Sequence, residues 1–338
     1  MIDLTPWLGD VPAPVVERLT SARRVLAVGH ENPDADTLGA SLAVCRLVER
    51  NGGIATAVFA DPVPPLYDFL QAAGRARLDP DPAIDYDLLV VSDCGTLERV
   101  GSVAERHREL FDRLPRVVID HHASNDAAGE ADWIEPHAAA TCEMTTILAA
   151  RLGAPLDLDG GALAAELMAG IVMDTATFAH PNATPRTLTV AAALVEAGAP
   201  LAEISRRLYR SKPDPQLRLF GRVLDRLETS DSRLVIHSTL LDADLAATGA
   251  IPAHSEGIID LLAQSDDAEV AILFKEAADG TRLSVRTKPG GVDATVLTGL
   301  FGGGGHARAS GATVARPVGE ARPAVLAEAE RLAAAVRR

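Results

Sequence analysis

The apolar run VVIDHHASN at residues 117–125 carries Asp120, His121 and His122 where a buried strand should run out. Three consecutive titratable side chains at such a place are costly to bury unless something pairs them. Carboxylate and neutral imidazole together are what a divalent metal uses, while a polar turn is the alternative for this tripeptide alone. Three other segments carry the same chemistry. GHENPDADTLGAS supplies His30, Asp34 and Asp36, VSDCG supplies Asp93, and AGIVMDTATF places Asp174 after a further apolar run. Each has an ordinary reading: Asp34 could cap a helix, Asp93 could start a turn, and Asp174 could precede a helix beginning at Thr175. Jointly, five carboxylates and three imidazoles gathered on one rim would repel and stay badly solvated without cations. Two divalent ions resolve that, since two-metal sites hold ions roughly 3.5–4 Å apart and clamp a phosphoryl group for in-line displacement.

The elements that must position these residues read as an alternation. RRVLAVGH (23–30), IATAVFA (54–60), DLLVVSDC (87–94) and RVVIDHH (116–122) are short, nearly continuous apolar runs, and TLGASLAVCRLVER (37–50) between the first two is helical. Such runs suit a parallel sheet covered on both faces, whose functional crevice lies outside the carboxyl ends of its strands. Helical patterns follow at 141–152, 160–174 and 184–198, the last with Thr184 as N-cap and Pro185 in its first turn. A charged helical stretch broken by Pro213 and Pro215 then leads to strand patterns at 232–240 and 269–288, the latter folded about Asp279–Gly280. A helix at 291–301, the run GGGGHARASGATV and an Ala/Glu/Arg-rich helix close the chain. The expected fold is α/β: an N-terminal doubly wound parallel-sheet domain (1–198), a helical linker (199–228) and a smaller mixed α/β C-terminal domain (229–338).

Bulk properties exclude several function classes. The chain has 338 residues, enough for two domains with developed cores. With 47 acidic and 32 basic residues its formal charge is −15, which disfavours wrapping long nucleic acid but allows a small phosphorylated substrate held by local cations. No apolar stretch approaches the roughly 18 residues of a membrane span, and MIDLTPWLGD lacks the basic start of a signal peptide. Cys45, Cys94 and Cys142 lie far apart and read as reduced core thiols. A cytoplasmic protein without a membrane or long nucleic-acid partner is expected.

In order and spacing, GHENPDADTLGAS, VSDCG, VIDHHASN and MDTATF resemble the four motifs of the DHH phosphoesterase superfamily. GGGGHARASG resembles the glycine-rich motif of its associated C-terminal domain. DTATFAHPNATPRTL and the chain length are most similar to the NrnA group, which degrades very short RNAs and dephosphorylates adenosine 3′,5′-bisphosphate (pAp); some relatives hydrolyse cyclic di-AMP. The resemblance implies one metal on His30, Asp34 and Asp93 and a second on Asp36, His121 and Asp174, with Asp93 bridging. It leaves Asp120 to orient an imidazole or a metal-bound water, and turns His122 toward the substrate phosphate or the leaving oxygen. Manganese is the preferred ion, because a mixed His/carboxylate set suits it, with magnesium or cobalt as alternatives. Short RNA, linear dinucleotides such as pApA, pAp and cyclic di-AMP are the implied substrates, and a homodimer rests on the resemblance alone.

The glycine run bears a separate reading. Gly303, Gly304 and Gly305 let backbone N–H groups approach an anion, with His306 and Arg308 beside them. Arg286 on LSVRTK, near Lys288, is expected to bind the terminal phosphate through two donors. The C-terminal domain is expected to close His306 and Arg286 over the metals. A family II inorganic pyrophosphatase, a RecJ-like exonuclease and a non-catalytic nucleotide sensor are the rivals. The first would carry a lysine- and arginine-rich loop in place of the glycine run, the second a longer and more basic chain, and the third a lost metal ligand.

Overall fold

A computed structural model describes residues 2–70, 72–125 and 129–336. Met1 and residues 337–338, the outermost ends of the expected 1–198 and 229–338 segments, lie outside the described residues. The chain divides into two compact units, Met1–Ser211 and Lys212–Arg338.

In the first unit, strands β1 (Arg24–Val28), β2 (Ile54–Val58), β3 (Ala76–Arg77), β4 (Leu88–Ser92), β5 (Arg116–Asp120) and β6 (Ala131–Ile134) form one sheet in the order β3-β2-β1-β4-β5-β6. Every pairing is parallel. The strand order reverses between β1 and β4, and the crevice outside strand ends at such a switch point is where open α/β sheets bind ligands. The expected doubly wound fold is therefore present. Both faces are covered, which explains the apolar runs. Val25, Ala27, Val90 and Ile119 pack with helices Ala35–Arg50, Thr141–Arg151 and Ala162–Asp174. Leu26, Val28, Val91 and Val118 pack on the other face with Val103 and Phe111.

The helix Ala35–Arg50 approaches Ala162–Asp174 so closely that it tolerates no side chain at two glycines. A Cβ on Gly39 would meet the Glu166 carbonyl oxygen at 2.5 Å, and one on Gly170 would meet Asp36 Oδ1 at 2.5 Å. Arg46, buried within this helix pair, donates to both carboxylate oxygens of Glu166 at 2.8 Å and also pairs with Asp159.

In the second unit, β7 (Glu228–Thr229), β8 (Val235–Leu240), β9 (Val270–Ala277), β10 (Gly280–Thr287), β11 (Gly304–His306) and β12 (Ala309–Val314) form a mixed sheet in the order β11-β12-β10-β9-β8-β7. Only β8 and β9 run parallel. One face packs Ile272, Phe274, Leu283 and Val285 against the helices Ala294–Gly299 and Val318–Val336. The opposite face is covered over β8 and β9 by Leu219, Phe220 and Val223 of Asp214–Asp225 and by Ile258 and Leu262. The stretch 199–228 is shared between the units: Ile204 and Leu208 of Leu201–Tyr209 join the first core, and Asp214–Asp225 joins the second. The expected break at Pro213 and Pro215 separates Leu201–Tyr209 from Asp214–Asp225, with Pro213 as the N-cap of the second helix and Pro215 in its first turn.

Candidate metal centre

The four segments singled out by their chemistry converge outside the carboxyl ends of β1, β4 and β5 and the end of helix Ala162–Asp174. After β1 the chain passes through Gly29, where a Cβ would stand 2.3 Å from Thr37 Cγ2, and then presents His30. The His30 Nδ1 lies 2.7 Å from the Glu31 carbonyl, an arrangement that puts the proton on Nδ1 and frees the Nε2 lone pair. Asp34 is the N-cap of Ala35–Arg50: its Oδ1 accepts from the N–H groups of Asp36 and Thr37, and its Oδ2 stands 3.7 Å from His30 Nε2. The helix-cap reading and the ligand reading of Asp34 thus both hold geometrically, one per oxygen.

Asp93 follows β4 at φ 55°, the left-handed region that Asp tolerates better than most residues. Its carboxylate is nearly inaccessible and faces two ways. Oδ2 accepts from Thr37 Oγ1 at 2.6 Å and lies 3.5 Å from His30 Nε2. Oδ1 accepts from Thr141 Oγ1 at 3.2 Å and lies 3.6 Å from His121 Nε2. His121 Nε2 also stands 3.2 Å from Asp174 Oδ2. Asp36, fully buried, accepts from the Thr141 and Cys142 N–H groups at 2.7 and 2.8 Å, so it is pinned by the N-terminus of helix Thr141–Arg151.

Two groups of three result, His30/Asp34/Asp93 and Asp36/His121/Asp174, each offering ligand atoms within 4.8 Å of one another. Their electrostatics show the cost of assembling them without cations. Burial first, then Asp93 and Asp34, pushes the Asp36 carboxyl well above the usual range. Burial, then Asp36 and Asp93, does the same to Asp174. His30 is driven the other way: burial opposes its charge, but Asp34 and Asp93 outweigh it and raise its pKa to about 10. Carboxylates that resist ionisation beside an imidazole that holds a proton are a donor set short of positive charge. Mixed imidazole and carboxylate donors this close together fit divalent metal ions.

His122 borders both groups: with Asp93, Asp120 and His121 it forms a further set of close donor atoms, its Nδ1 3.6 Å from Asp93 Oδ1. Its Nδ1 is 2.7 Å from Asp120 Oδ1, and Asp120 Oδ2 accepts from Asn125 Nδ2 at 2.6 Å. The hydrogen bond to buried Asp120 raises the His122 pKa against the effect of burial. Asp120 therefore orients His122, and Nε2 is the ring atom left for a ligand. Thr37, Thr141 and Asn125 were not evident in the sequence as site residues. Thr37 had a signal, standing one residue after Asp36; Thr141 comes from a helix start 48 residues beyond Asp93 and had none.

The substrate residues expected in the second unit are distributed along its sheet. Arg286, Ala309 and His306 share one row across β10, β12 and β11. Arg286 Nε already pairs with Asp260 Oδ1 at 3.0 Å. The glycine run is largely strand rather than open loop: Gly304 and Gly305 pair with Gly311 and Ser310, and the Gly303 N–H donates to the Thr298 carbonyl at 2.9 Å. A Cβ on Gly303 would meet the Gly311 carbonyl oxygen at 2.1 Å, so close strand approach is one reason for glycine there. Arg308 is exposed at the hairpin end.

A doubly wound α/β unit with an Asp/His centre at its switch point, followed by a mixed-sheet unit, defines a class of metal-centred hydrolase. Comparison with known proteins identifies the family. Residues 24–172 match the DHH family, N-terminal domain, and residues 235–335 match the DHHA1 domain. The chain is 31% identical over 290 residues to the bifunctional oligoribonuclease and PAP phosphatase NrnA of Thermus thermophilus, covering 84% of this chain and 82% of that protein. It is 27% identical over 296 residues to the protein of the same name from Bacillus subtilis, covering 84% and 87%. In fold it resembles an exopolyphosphatase-related protein from Bacteroides fragilis, with a TM-score of 0.84 at 19% identity over 97% of this chain and 99% of that one. The chain belongs to the DHH phosphoesterase family and is an enzyme of the phosphodiesterase/phosphatase class. Among the described residues no single helix is long and apolar enough to cross a membrane.

Proposed function

We propose that this enzyme hydrolyses very short oligoribonucleotides, linear dinucleotides included, to mononucleotides and dephosphorylates pAp to AMP, with cyclic di-AMP as a further substrate. The observation that carries the reading is the two-sided carboxylate of Asp93, one oxygen toward His30 and the other toward His121. The choice of substrates is supported by the two NrnA relatives, named for oligoribonuclease and PAP phosphatase activity. His30, Asp34 and Asp93 would hold one divalent ion and Asp36, His121 and Asp174 a second, with Asp93 shared. Manganese is favoured by the imidazole content, ahead of magnesium or cobalt. When bound, such ions polarise phosphoryl oxygens and lower the pKa of water.

The protein's own groups do the rest. Thr37 and Thr141 fix the Asp93 carboxylate so that each oxygen keeps its side. His122, locked by Asp120, donates from Nε2 to a phosphoryl oxygen or protonates the leaving oxygen. Arg286, Gly303, Gly304, Gly305, His306 and Arg308 of the second unit contribute substrate contacts, Arg286 after exchanging Asp260 for phosphate.

AMP release from pApA, pAp and cyclic di-AMP, measured with added manganese beside phosphate release from pyrophosphate, tests this reading. Rapid AMP formation from pApA or pAp that chelation abolishes, with pyrophosphate untouched, is the expected result. No AMP from any nucleotide overturns it; pyrophosphate cleavage would then mark a pyrophosphatase.

A further inference from the structure

The chain turns sharply just after Asp174. Ala176, Thr177 and Phe178 stand at φ 47°, 59° and 63°, three consecutive left-handed residues with no glycine among them. Such a conformation is uncommon for any residue with a Cβ and rarest for a β-branched one such as Thr177. It persists only where the surroundings over-determine it, and such segments cluster at functional sites. The Thr177 N–H donates to the Val172 carbonyl at 2.9 Å and the Phe178 N–H to Thr175 Oγ1 at 2.9 Å, while the Thr177 and Ser205 hydroxyls lie 3.0 Å apart.

The turn folds the following residues back over the end of helix Ala162–Asp174. A carbonyl at a helix C-terminus has no partner within the helix. That of Asp174 faces His180 Nδ1 and accepts from Asn182 Nδ2, both at 3.2 Å. Asn182 Nδ2 also donates to the Ala139 carbonyl at 3.1 Å. An amide nitrogen carries two N–H groups, so one side chain serves both acceptors. Ala139 belongs to the segment against which the rest of the second group of three is set. The Ala138 carbonyl stands 3.4 Å from His121 Nδ1, and the Thr141 and Cys142 N–H groups donate to Asp36. Asp36 and His121 thus touch residues 138–142 directly, and Asp174 is tied to them through Asn182.

We propose that Asn182 is a positioning residue for the second divalent ion: by clipping the Asp174 backbone to the Ala139 carbonyl it fixes Asp174 against Asp36 and His121, and it does not serve the group of His30, Asp34 and Asp93. This deepens the proposed function and rests on its assignment of two ions, not on its choice of substrates. Outer hydrogen bonds of this kind orient ligands and set metal affinity. The left-handed turn is what brings Asn182 back to a helix that ended eight residues earlier.

The test is calorimetric titration of the metal-free full-length protein with manganese, with no substrate present. Wild type should bind two ions. Asn182→Ala should bind one of them as before and the other about ten- to a hundredfold more weakly. Asn182→Gln, which keeps an amide donor, should recover part of the loss. Asn182 is exposed, so its truncation leaves the core intact. Two double variants identify the ion. Added to Asp34→Asn, which disables the first group, Asn182→Ala should weaken the ion that remains; added to Asp174→Asn, it should change nothing. Equal weakening of both ions, or of neither, overturns the proposal. If the wild type binds a single ion, the assignment of two ions fails by itself and Asn182→Ala still judges the clip. Unchanged affinity for that ion then overturns it, and a weakening that disappears once Asp174 is replaced upholds it. No uptake of manganese at all overturns both.

Discussion

The two units solve opposite charge problems. The first gathers Asp34, Asp36, Asp93 and Asp174 around two imidazoles with no arginine or lysine among the ligand groups. The second sets Lys275 against Arg282 across one strand pair, with no carboxylate paired to either among the described residues. Elsewhere buried acids of the same chain are paired: Glu166 with Arg46, Glu143 with Arg186, and Asp244 with Arg222 and Arg226. At these two places the uncompensated charge has opposite sign. A set short of positive charge suits cations, and a set short of negative charge suits phosphate, and a metal-dependent phosphoesterase needs both.

The sharpest way to break the first half of this comparison is Asp93→Ala. It removes the one carboxylate that faces both histidines, so turnover should fall by roughly a thousandfold or more. Metal bound per chain, measured by elemental analysis after dialysis, should drop with it. Near-normal activity would show that the two groups of three do not share a ligand. His122→Ala separates the metal ligands from their neighbour. Turnover should fall about a hundred- to a thousandfold, the range for a lost acid or phosphate donor, while bound metal stays at the wild-type level. Loss of metal in this variant would move His122 into the ligand set. Thr37→Val is milder. It keeps the shape but removes the 2.6 Å hydrogen bond that fixes Asp93 Oδ2, and outer partners of this kind are worth about 10–100-fold in metal affinity or activity. A shift in metal affinity without a matching rise in KM would confirm that the hydroxyl acts through Asp93.

How much of this was legible in the sequence follows from what kind of information each residue carries. β1, β4 and β5 could be read because strands covered on both faces are apolar throughout, and their ends are where the polarity changes. Asp34 as a cap and Thr184 with Pro185 as a helix start are local signals, and both appear. β6 escaped notice because Ala131–Ile134 is four residues long and alternates in burial. Gly304 and Gly305 as strand and Asp260 on Arg286, 26 residues away, depend on pairing between segments, and Lys275 opposite Arg282 depends on the exact register of the hairpin about Asp279–Gly280. Thr141 reaches Asp93 only because Asp36 anchors the helix that carries it. Residue types revealed the centre's chemistry; tertiary contacts chose the side chains that hold it in place.

The smallest effect concerns stability, and it contrasts a paired acid of the second unit with the centre of the first. Asp244 is buried and accepts from Arg226, Arg222 at 2.9 Å and the Leu241 N–H at 3.0 Å. Burial works to raise its pKa, but these partners prevail and bring it from 3.8 to about 2. Asp36, also buried, and half-buried Asp174 face acids and move upward instead. A carboxylate depressed in the folded state stabilises that state above its unfolded pKa, and the contribution disappears as pH falls through the folded value. Asp244→Asn should therefore cost about 2 kcal/mol at pH 7. The difference from wild type should shrink between pH 4 and pH 2, as read from denaturant midpoints of the full-length protein. A penalty that stays constant with pH would mean that Asp244 acts through its hydrogen-bond geometry alone, and that opposed charge contributes nothing there.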